Sequence, residues 1–405
     1  MDDSRASPTM ISPTAHLFAA RAVRDFGDGF VAVLLPAYLS LLGFSAVEIG
    51  VLATVALLGS SLLTLGVGMI GGRQDQRRLL IGASGLMIAS GVAFVFVHDF
   101  ALLLLVAFAG TINPSSGSVS VFAPLEQTML TREAAAAQRT RMFARYSLVG
   151  AFAGAFGALA AATPDYLAPL GLDPLQAVRA MFVVYALLGL AGGILYGRIP
   201  PRPPAEAVGP VTALGPSRGI VVRLAMIFSI DSFGSGFVVQ SLLALWLFER
   251  FDLSLTAAGL FFFWSGVLSA FSFPVAAWLA RRIGLINTMV FTHIPANLCL
   301  VAAAFAPSLP IVLALLLIRA ALSQMDVPTR TSYVMAVVTE AERPAAASFT
   351  VVPRSIASAI TPSIGGALFA AGFQALLLVL AGTIKTVYDL LLLWQFRHVK
   401  PPEER

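Results

Sequence analysis

The phrase Phe26-Gly27-Asp28-Gly29-Phe30-Val31 returns as Phe233-Gly234-Ser235-Gly236-Phe237-Val238, each copy inside a long apolar run. The two phrases lie 207 residues apart, whereas Gly50 and Gly259, and Arg73 and Arg282, lie 209 apart, so a small insertion or deletion separates two otherwise parallel copies. A chain of two parallel membrane repeats is constrained to place a binding site where its halves meet, near the bilayer midplane.

That the repeats are membrane helices follows from composition. Of 405 residues 58% are hydrophobic and only 12% charged, about half the charge of an average soluble domain at roughly 25%. Apolar segments long enough to cross a ~30 Å hydrocarbon layer follow one another with little relief. They predict twelve spans, at 17–42, 46–70, 79–98, 100–122, 142–162, 176–197, 219–247, 255–280, 284–306, 309–337, 346–371 and 373–396. The runs are apolar all round and lack the short alternating pattern of barrel strands. The fold class is therefore an all-α polytopic membrane protein of two six-helix bundles, 1–197 and 219–405. Between them the Arg-Ile-Pro-Pro-Arg-Pro-Pro stretch opens a linker at 198–218, since proline neither continues a helix nor favours one. The start, Met1-Asp2-Asp3-Ser4-Arg5, has no basic region or small-residue cleavage site, so the first helix is expected to stay attached. Cys299 is the single cysteine and reads as a packing residue.

Arginines collect in every second connection: at Arg73, Arg77 and Arg78, at Arg132, Arg139 and Arg141, at Arg198, Arg202 and Arg218, at Arg281 and Arg282, and at Arg343. The positive-inside rule makes those connections and both termini cytoplasmic, which places the chain in the inner (plasma) membrane. The formal net charge of +5 is then a matter of topology, and no nucleic-acid partner is implied.

Charges inside the apolar runs are the sharpest functional signal, because an ionisable group in hydrocarbon is costly and normally faces a bundle interior or a water-filled cavity. Arg21, Arg24, Asp25 and Asp28 share one face of the first helix by their spacing. Arg21, Arg24 and Asp25 either neutralise one another or serve the site. Asp28 is the deepest and has Ser235 in its place in the second copy, and Gly27 and Gly29 beside it admit close approach. It is the first choice for a carboxylate that exchanges protons or contacts a cationic substrate. Arg319, Ser323, Asp326 and Arg330 make a second stripe, on the tenth span, where Asp326 and Arg330 form either an internal salt bridge or part of the site. Asp231 on the seventh span is a further acid candidate, and Arg354 on the eleventh would balance it or an anionic substrate. Asn113 belongs to a polar, uncharged stretch with Pro114 on the fourth span. Glu126 is expected at the cytoplasmic end, gating or paired with an arginine. Lys385 and Asp389 read as a structural i,i+4 pair, His293 as a packed residue, and the four tryptophans as interfacial anchors or packing on apolar faces.

The whole chain resembles the major facilitator superfamily: two six-helix repeats, a central linker, and a basic loop after the second helix of each half. In relatives that loop reads GxxxDRxGRR. Here Gly68, Arg73 and Arg77 keep the first, sixth and tenth places, whereas Gly72 replaces the acid, Asp75 the second glycine and Gln76 an arginine. The charge lock that relatives form there would have to use Asp75. Around Arg282 the second copy, Ala280-Arg281-Arg282-Ile283-Gly284, is weaker. The resemblance further implies a central cavity lined by helices one, four, seven and ten, and Arg319 with Gln324 is similar to a motif that relatives carry on the fourth helix. Gly150, Gly154 and Gly157, and Thr361 to Gly366, resemble the GPxxGG of the family's exporters without matching it fully.

The expected function is secondary active transport of a small organic solute by alternating access, coupled to protons and running as efflux by antiport; uptake by symport and a non-transporting membrane sensor or scaffold are the alternatives. Asp28, Asp25, Asp231, Asp326, Arg319, Arg330, Arg354 and Asn113 are the expected site. Gly68, Arg73, Asp75, Arg77 and Arg282 are the expected cytoplasmic gate. The expected partners are a small-molecule substrate, protons and the lipid bilayer, with the chain a monomer. No cofactor, metal or enzymatic activity is implied: GxxxxGK[ST] is missing, as is a cluster of metal ligands or a nucleophile-base pair.

Overall fold

A computed structural model of the chain describes residues 12–70, 74–115, 120–133, 139–201, 215–339 and 342–399. The described residues are helical almost throughout. The first half contains α1 (Pro13–Leu41), α2 (Ala46–Ile70), α3 (Gln76–Phe96), α4 (Phe100–Ala109), α5 (Phe122–Glu133), α6 (Arg139–Ala160), the short α7 (Thr163–Leu167) and α8 (Pro174–Gly197). The second contains α9 (Arg218–Gly236), α10 (Gln240–Phe251), α11 (Leu255–Ile283), α12 (Leu285–Phe305), α13 (Leu309–Ser323), α14 (Asp326–Ala336), α15 (Arg343–Ala370) and α16 (Gln374–Phe396). Among the described residues nine segments are long and apolar enough to cross a membrane. With α1, which carries four charges, the α4–α5 pair and α15, they make twelve spans.

Three expected spans are interrupted. The fourth is α4 and α5, with non-helical backbone at 110–115 and 120–121 between them, the seventh is α9 and α10, and the tenth is α13 and α14. Local chemistry accounts for the breaks. Asn113 Oδ1 accepts a bond from Ser115 N (2.9 Å) on either side of Pro114, turning the chain where proline withholds a donor. Gly234 and Gly236 precede the break in the seventh span, and Pro328 lies in the first turn of α14, where an amide hydrogen is not needed. Unwound backbone at membrane depth is tolerated only where protein or a watery cavity satisfies it; here Ser241 N donates to Pro114 O (3.1 Å), so two breaks satisfy each other across the halves.

The repeated phrase has a mechanical reason. A Cβ on Gly29 would sit 2.1 Å from Gly154 O, and one on Gly236 would sit 2.4 Å from Ser358 O. Each glycine therefore lets the first helix of its half touch the backbone of the fifth, α1 on α6 and α9 on α15. Gly157 completes the first contact, since its Cβ would meet Phe26 O at 2.0 Å. Close approach of this kind is how helices bind in lipid, where apolar burial drives little.

The halves meet mainly through α2 on α15 and α6 on α11. The close contacts fall at the face opposite the termini: Gly50 against Pro362 and Gly366, Thr54 Oγ1 to Ser363 Oγ (2.7 Å), and Thr256 N to Asp165 Oδ2 (2.8 Å). Toward the terminal face, α5 packs chiefly on α1, α2, α3 and α6, and α14 on α11, α12 and α15, each within its own half.

The loops expected to gate the terminal face are tied locally. Gly68 lies in the last turn of α2 and Arg73 falls outside the described residues. Asp75 does not lock a second helix: it is the N-cap of α3, accepting from Arg77 N (3.0 Å), with Arg78 3.6 Å away. Arg77 instead reaches α8, donating to Tyr196 O (3.3 Å) and Gly197 O (2.6 Å), a favourable place for a cation because helix C-terminal carbonyls carry partial negative charge. Arg282 stacks over Trp278 at 4.3 Å. Where the linker rejoins the second half, Glu342 accepts from Gly215 N (2.6 Å), Ser217 N (3.2 Å), Ser217 Oγ (2.7 Å) and Thr339 Oγ1 (2.5 Å). The hydroxyls of Ser217 and Thr339 hold its carboxyl down at about 2, since they bond best to the ionised form.

Two outcomes are expected. Gly50→Val places atoms into Pro362 O and should pry the far face apart, read on a Cys299→Ala background as faster maleimide labelling of Ser363→Cys. Glu342→Gln should lower the melting temperature at pH 7. Because the Glu342 pKa is depressed from 4.5 to about 2, its contribution is complete above pH 4.5 and lost as pH falls towards 2. The gap between wild type and variant should therefore close over that window.

Candidate functional site

Most of the buried charged residues of the spans collect into two clusters, one in each half. In the first, Arg21 Nε lies 2.5 Å from Asp25 and Arg24 Nη1 lies 2.9 Å from Asp25 and 3.6 Å from Asp28. Arg24 Nη2 reaches across to Glu126 on α5 at 3.3 Å. Glu126 is fully buried and accepts from Tyr196 Oη (2.5 Å) and from Tyr146 Oη. Arg24 also donates to Ser120 Oγ (3.1 Å) and faces the Phe122 ring at 4.9 Å. Charge, hydroxyl and aromatic contacts together offset a desolvation that no single partner would cover.

Asp28 is placed apart from its neighbours. Its Oδ1 accepts from Tyr185 Oη (3.3 Å), and Tyr185 in turn meets Thr111 Oγ1 (3.2 Å). Thr111 and Ser120 line a small crevice with Ser60, Leu63, Gly110 and Val121. A chain of hydroxyls thus runs from the α4–α5 break to the Asp28 carboxylate.

In the second half Asp231 is the hub. Lys385 Nζ lies 2.6 Å from Oδ1 and Arg330 Nη2 3.1 Å from Oδ2, while Arg330 also bonds Asp326 on its own helix. His293 Nε2 is 4.0 Å from Asp231, and its Nδ1 is 3.0 Å from Asp389, which also accepts from Asn297 Nδ2 (2.8 Å). Arg354 Nε donates to Ser232 Oγ (3.1 Å). The buried Nε of Arg319 has no hydrogen-bond partner among the described residues.

The clusters are related by the repeat, with their polarity reversed. At the 207-residue offset, Arg24 on α1 corresponds to Asp231 on α9. Their partners Glu126 and Arg330 are each the fifth residue of the second segment of a broken span, α5 and α14. The first half joins a cation on its first span to an anion on its fourth; the second half joins an anion on its first to a cation on its fourth.

The charges do not balance within either half. Two arginines face three carboxylates, Asp25, Asp28 and Glu126, in the first. Four cations, Arg319, Arg330, Arg354 and Lys385, face three carboxylates, Asp231, Asp326 and Asp389, in the second. The first three acids are at most 5% exposed, whereas Arg319 and Arg354 are half-buried.

Most expected site residues are thus brought together, though in two groups. Asp25 and Asp28 belong to one, and Asp231, Asp326, Arg319, Arg330 and Arg354 to the other; Asn113 lies at the α4–α5 break. The expected Lys385–Asp389 pair is corrected: Lys385 turns to Asp231 and Ser235 (2.7 Å) and Asp389 to His293, because α16 packs against both α9 and α12. His293 accordingly bridges two acids instead of merely filling space. The repeat offset was the signal that would have marked Arg24 and Asp231 as counterparts.

Arg24→Gln leaves three buried acids with one arginine and is expected to cost about 3–5 kcal/mol, read as a large drop in apparent melting temperature of the purified protein. Asp28→Asn removes the surplus acid and should leave that temperature unchanged or raised.

Comparison with known proteins agrees with this architecture. Uncharacterized membrane protein YJR124C of Saccharomyces cerevisiae is 22% identical over 416 residues, spanning 94% of this chain and 93% of the yeast protein. The inward open conformation of the xylose transporter XylE from E. coli superposes with a TM-score of 0.75 at 16% identity, covering 96% of this chain and 98% of that one. The nucleoside transporter NupG superposes at 0.73 with 13% identity, covering 96% and 100%. The sequence profile of the Major Facilitator Superfamily matches residues 17–322 and 224–405. The chain is a multi-pass membrane transporter that belongs to the Major Facilitator Superfamily.

Proposed function

We propose that this transporter moves a small organic solute together with a proton by alternating access. The observation that carries the reading is the opposite charge imbalance of the two clusters. An acid surplus almost sealed from solvent, reached through Thr111 and Tyr185, suits the smallest cation, and Asp28 is the acid with the weakest hold on an arginine. The base surplus in the second half is more open and suits the solute. Proton and solute then occupy different groups.

Efflux by antiport, the expectation from sequence, needs protonation of Asp28, Asp231 or Asp326 to oppose solute binding. Asp231 and Asp326 are poor places for that competition, since each already has a cation bound. Co-transport into the cell is therefore the preferred direction. Each pH unit across the membrane is worth about 1.4 kcal/mol per proton, a tenfold gradient of solute; where the solute is neutral, 100 mV adds about 2.3 kcal/mol.

The positive-inside pattern assigns the termini to the cytoplasm of an inner-membrane protein, so the tight Gly50, Thr54 and Asp165 contacts close the outside. The proposed state is inward-facing, with closure of α5 towards α14 as the opposing gate. Asp25 supports Arg24 and Arg21; Arg77 and Asp75 steady the terminal-face helix ends. The working unit is taken to be the monomer, whose two halves supply both clusters.

Purified protein in proteoliposomes, screened against labelled solutes under imposed pH gradients, tests this. Accumulation with the outside acidic is expected, and Asp28→Asn should abolish the gradient-driven part. Accumulation only with the lumen acidic would establish exchange instead, equal flux in Asp28→Asn would remove the proton role of that residue, and an absence of flux for every solute would overturn transport.

A further inference from the structure

The second cluster has more cation than it can use. Arg319 has no hydrogen-bond or ion-pair partner among the described residues, and its Nε is buried. Among the described residues Arg354 has one hydrogen-bond partner, the hydroxyl of Ser232. Arg330 spends one nitrogen, Nη2, on two carboxylates and leaves Nε and Nη1 buried and unbonded. Arg319 and Arg354 both lie within the field of Asp231, whose oxygens are already taken by Lys385 and Arg330. Unpaired guanidinium groups among apolar helices are strongly unfavourable unless an anion arrives. Arginine presents a planar fork of donors that matches carboxylate and phosphate oxygens.

We propose that the transported solute is an organic oxyanion, held through a carboxylate or phosphate group by Arg319 of α13 and Arg354 of α15. This rests on the transport reading above and names its substrate class. The first half argues against a cationic solute on separate grounds. Its surplus acid is shared among Asp25, Asp28 and Glu126, all nearly sealed and either ion-paired with Arg21 and Arg24 or hydrogen-bonded to Tyr146, Tyr185 or Tyr196, so a proton can reach it and an organic ammonium group cannot. The half-buried guanidiniums are the accessible unpaired charges. An oxyanion there and a proton on the first half attract each other, and this favours their joint occupancy over competition.

The test is ligand-induced thermal stabilisation of the full-length purified protein. The anionic probes are acetate, pyruvate, succinate, citrate, benzoate and glycerol 3-phosphate. The controls are choline, spermidine, xylose, uridine and sodium chloride at matched ionic strength. At least one anion is expected to raise the melting temperature where the controls do not, and the carboxylates against the phosphate ester identify which oxyanion is preferred. Arg319→Gln and Arg354→Gln should each weaken that anion's apparent affinity by about tenfold or more, with Arg223→Gln, an exposed cation of α9, behaving as wild type. Should Arg319→Gln fail to fold, Arg319→Lys and Arg354→Gln give the same readout.

Stabilisation by none of the anions, by the controls alone, or equally in both arginine variants would overturn the proposal. Proton-driven flux of a neutral or cationic solute would also overturn it while leaving the transport reading intact. Anion binding without flux of any solute would overturn the transport reading and the assignment of the anion as its substrate, and leave only an anion-binding site.

Discussion

A charge inside a membrane span must find its opposite, and this requirement organises the interior of each half. One long-range ion pair, Arg24 with Glu126 or Asp231 with Arg330, ties the first span of a half to the second segment of its fourth. Around each pair gather groups that the pair alone would leave unsatisfied: two tyrosines and a serine in the first half, a lysine and a histidine in the second. The pairing holds across the repeat although the sign of each member is inverted. Duplication has preserved a geometric relation between two helices while leaving the identity of donor and acceptor free.

The interruptions in the fourth, seventh and tenth spans lie next to these pairs. A broken helix presents unbonded peptide groups and a change of direction, and both are useful only beside a partner or a cavity. The Ser241–Pro114 bond joins two breaks, and the crevice beside Thr111 and Ser120 opens at one of them. Charge clusters and backbone breaks thus lie side by side within each half. The far face is built differently, from glycine and small hydroxyl residues that allow backbone contact between the halves. Contacts of that kind hold when helices are flush and vanish when they part.

The order of the spans, the duplication and the family were legible from hydropathy and the repeated phrase alone, because the length needed to cross a bilayer and the parity of loop charge are properties of local sequence. Asp28, Asp231 and Arg330 were likewise visible as charges where charge is costly. The breaks were not, since 100–122, 219–247 and 309–337 each keep the length and mean hydropathy of a single span in spite of their polar residues, and hydropathy does not register a turn in the backbone. Nor could spacing on one helix foresee that Lys385 would leave Asp389 for Asp231: the competing carboxylate lies on another helix 154 residues away.

Sequence by itself determined that this chain is a duplicated membrane transporter with ionisable groups embedded in its spans, for burial cost and periodicity act residue by residue. Only the tertiary structure decided who neutralises whom. Pairing depends on which helices are adjacent, α1 with α5 in the first half and α9 with α14 and α16 in the second, and that adjacency is a property of the packed molecule.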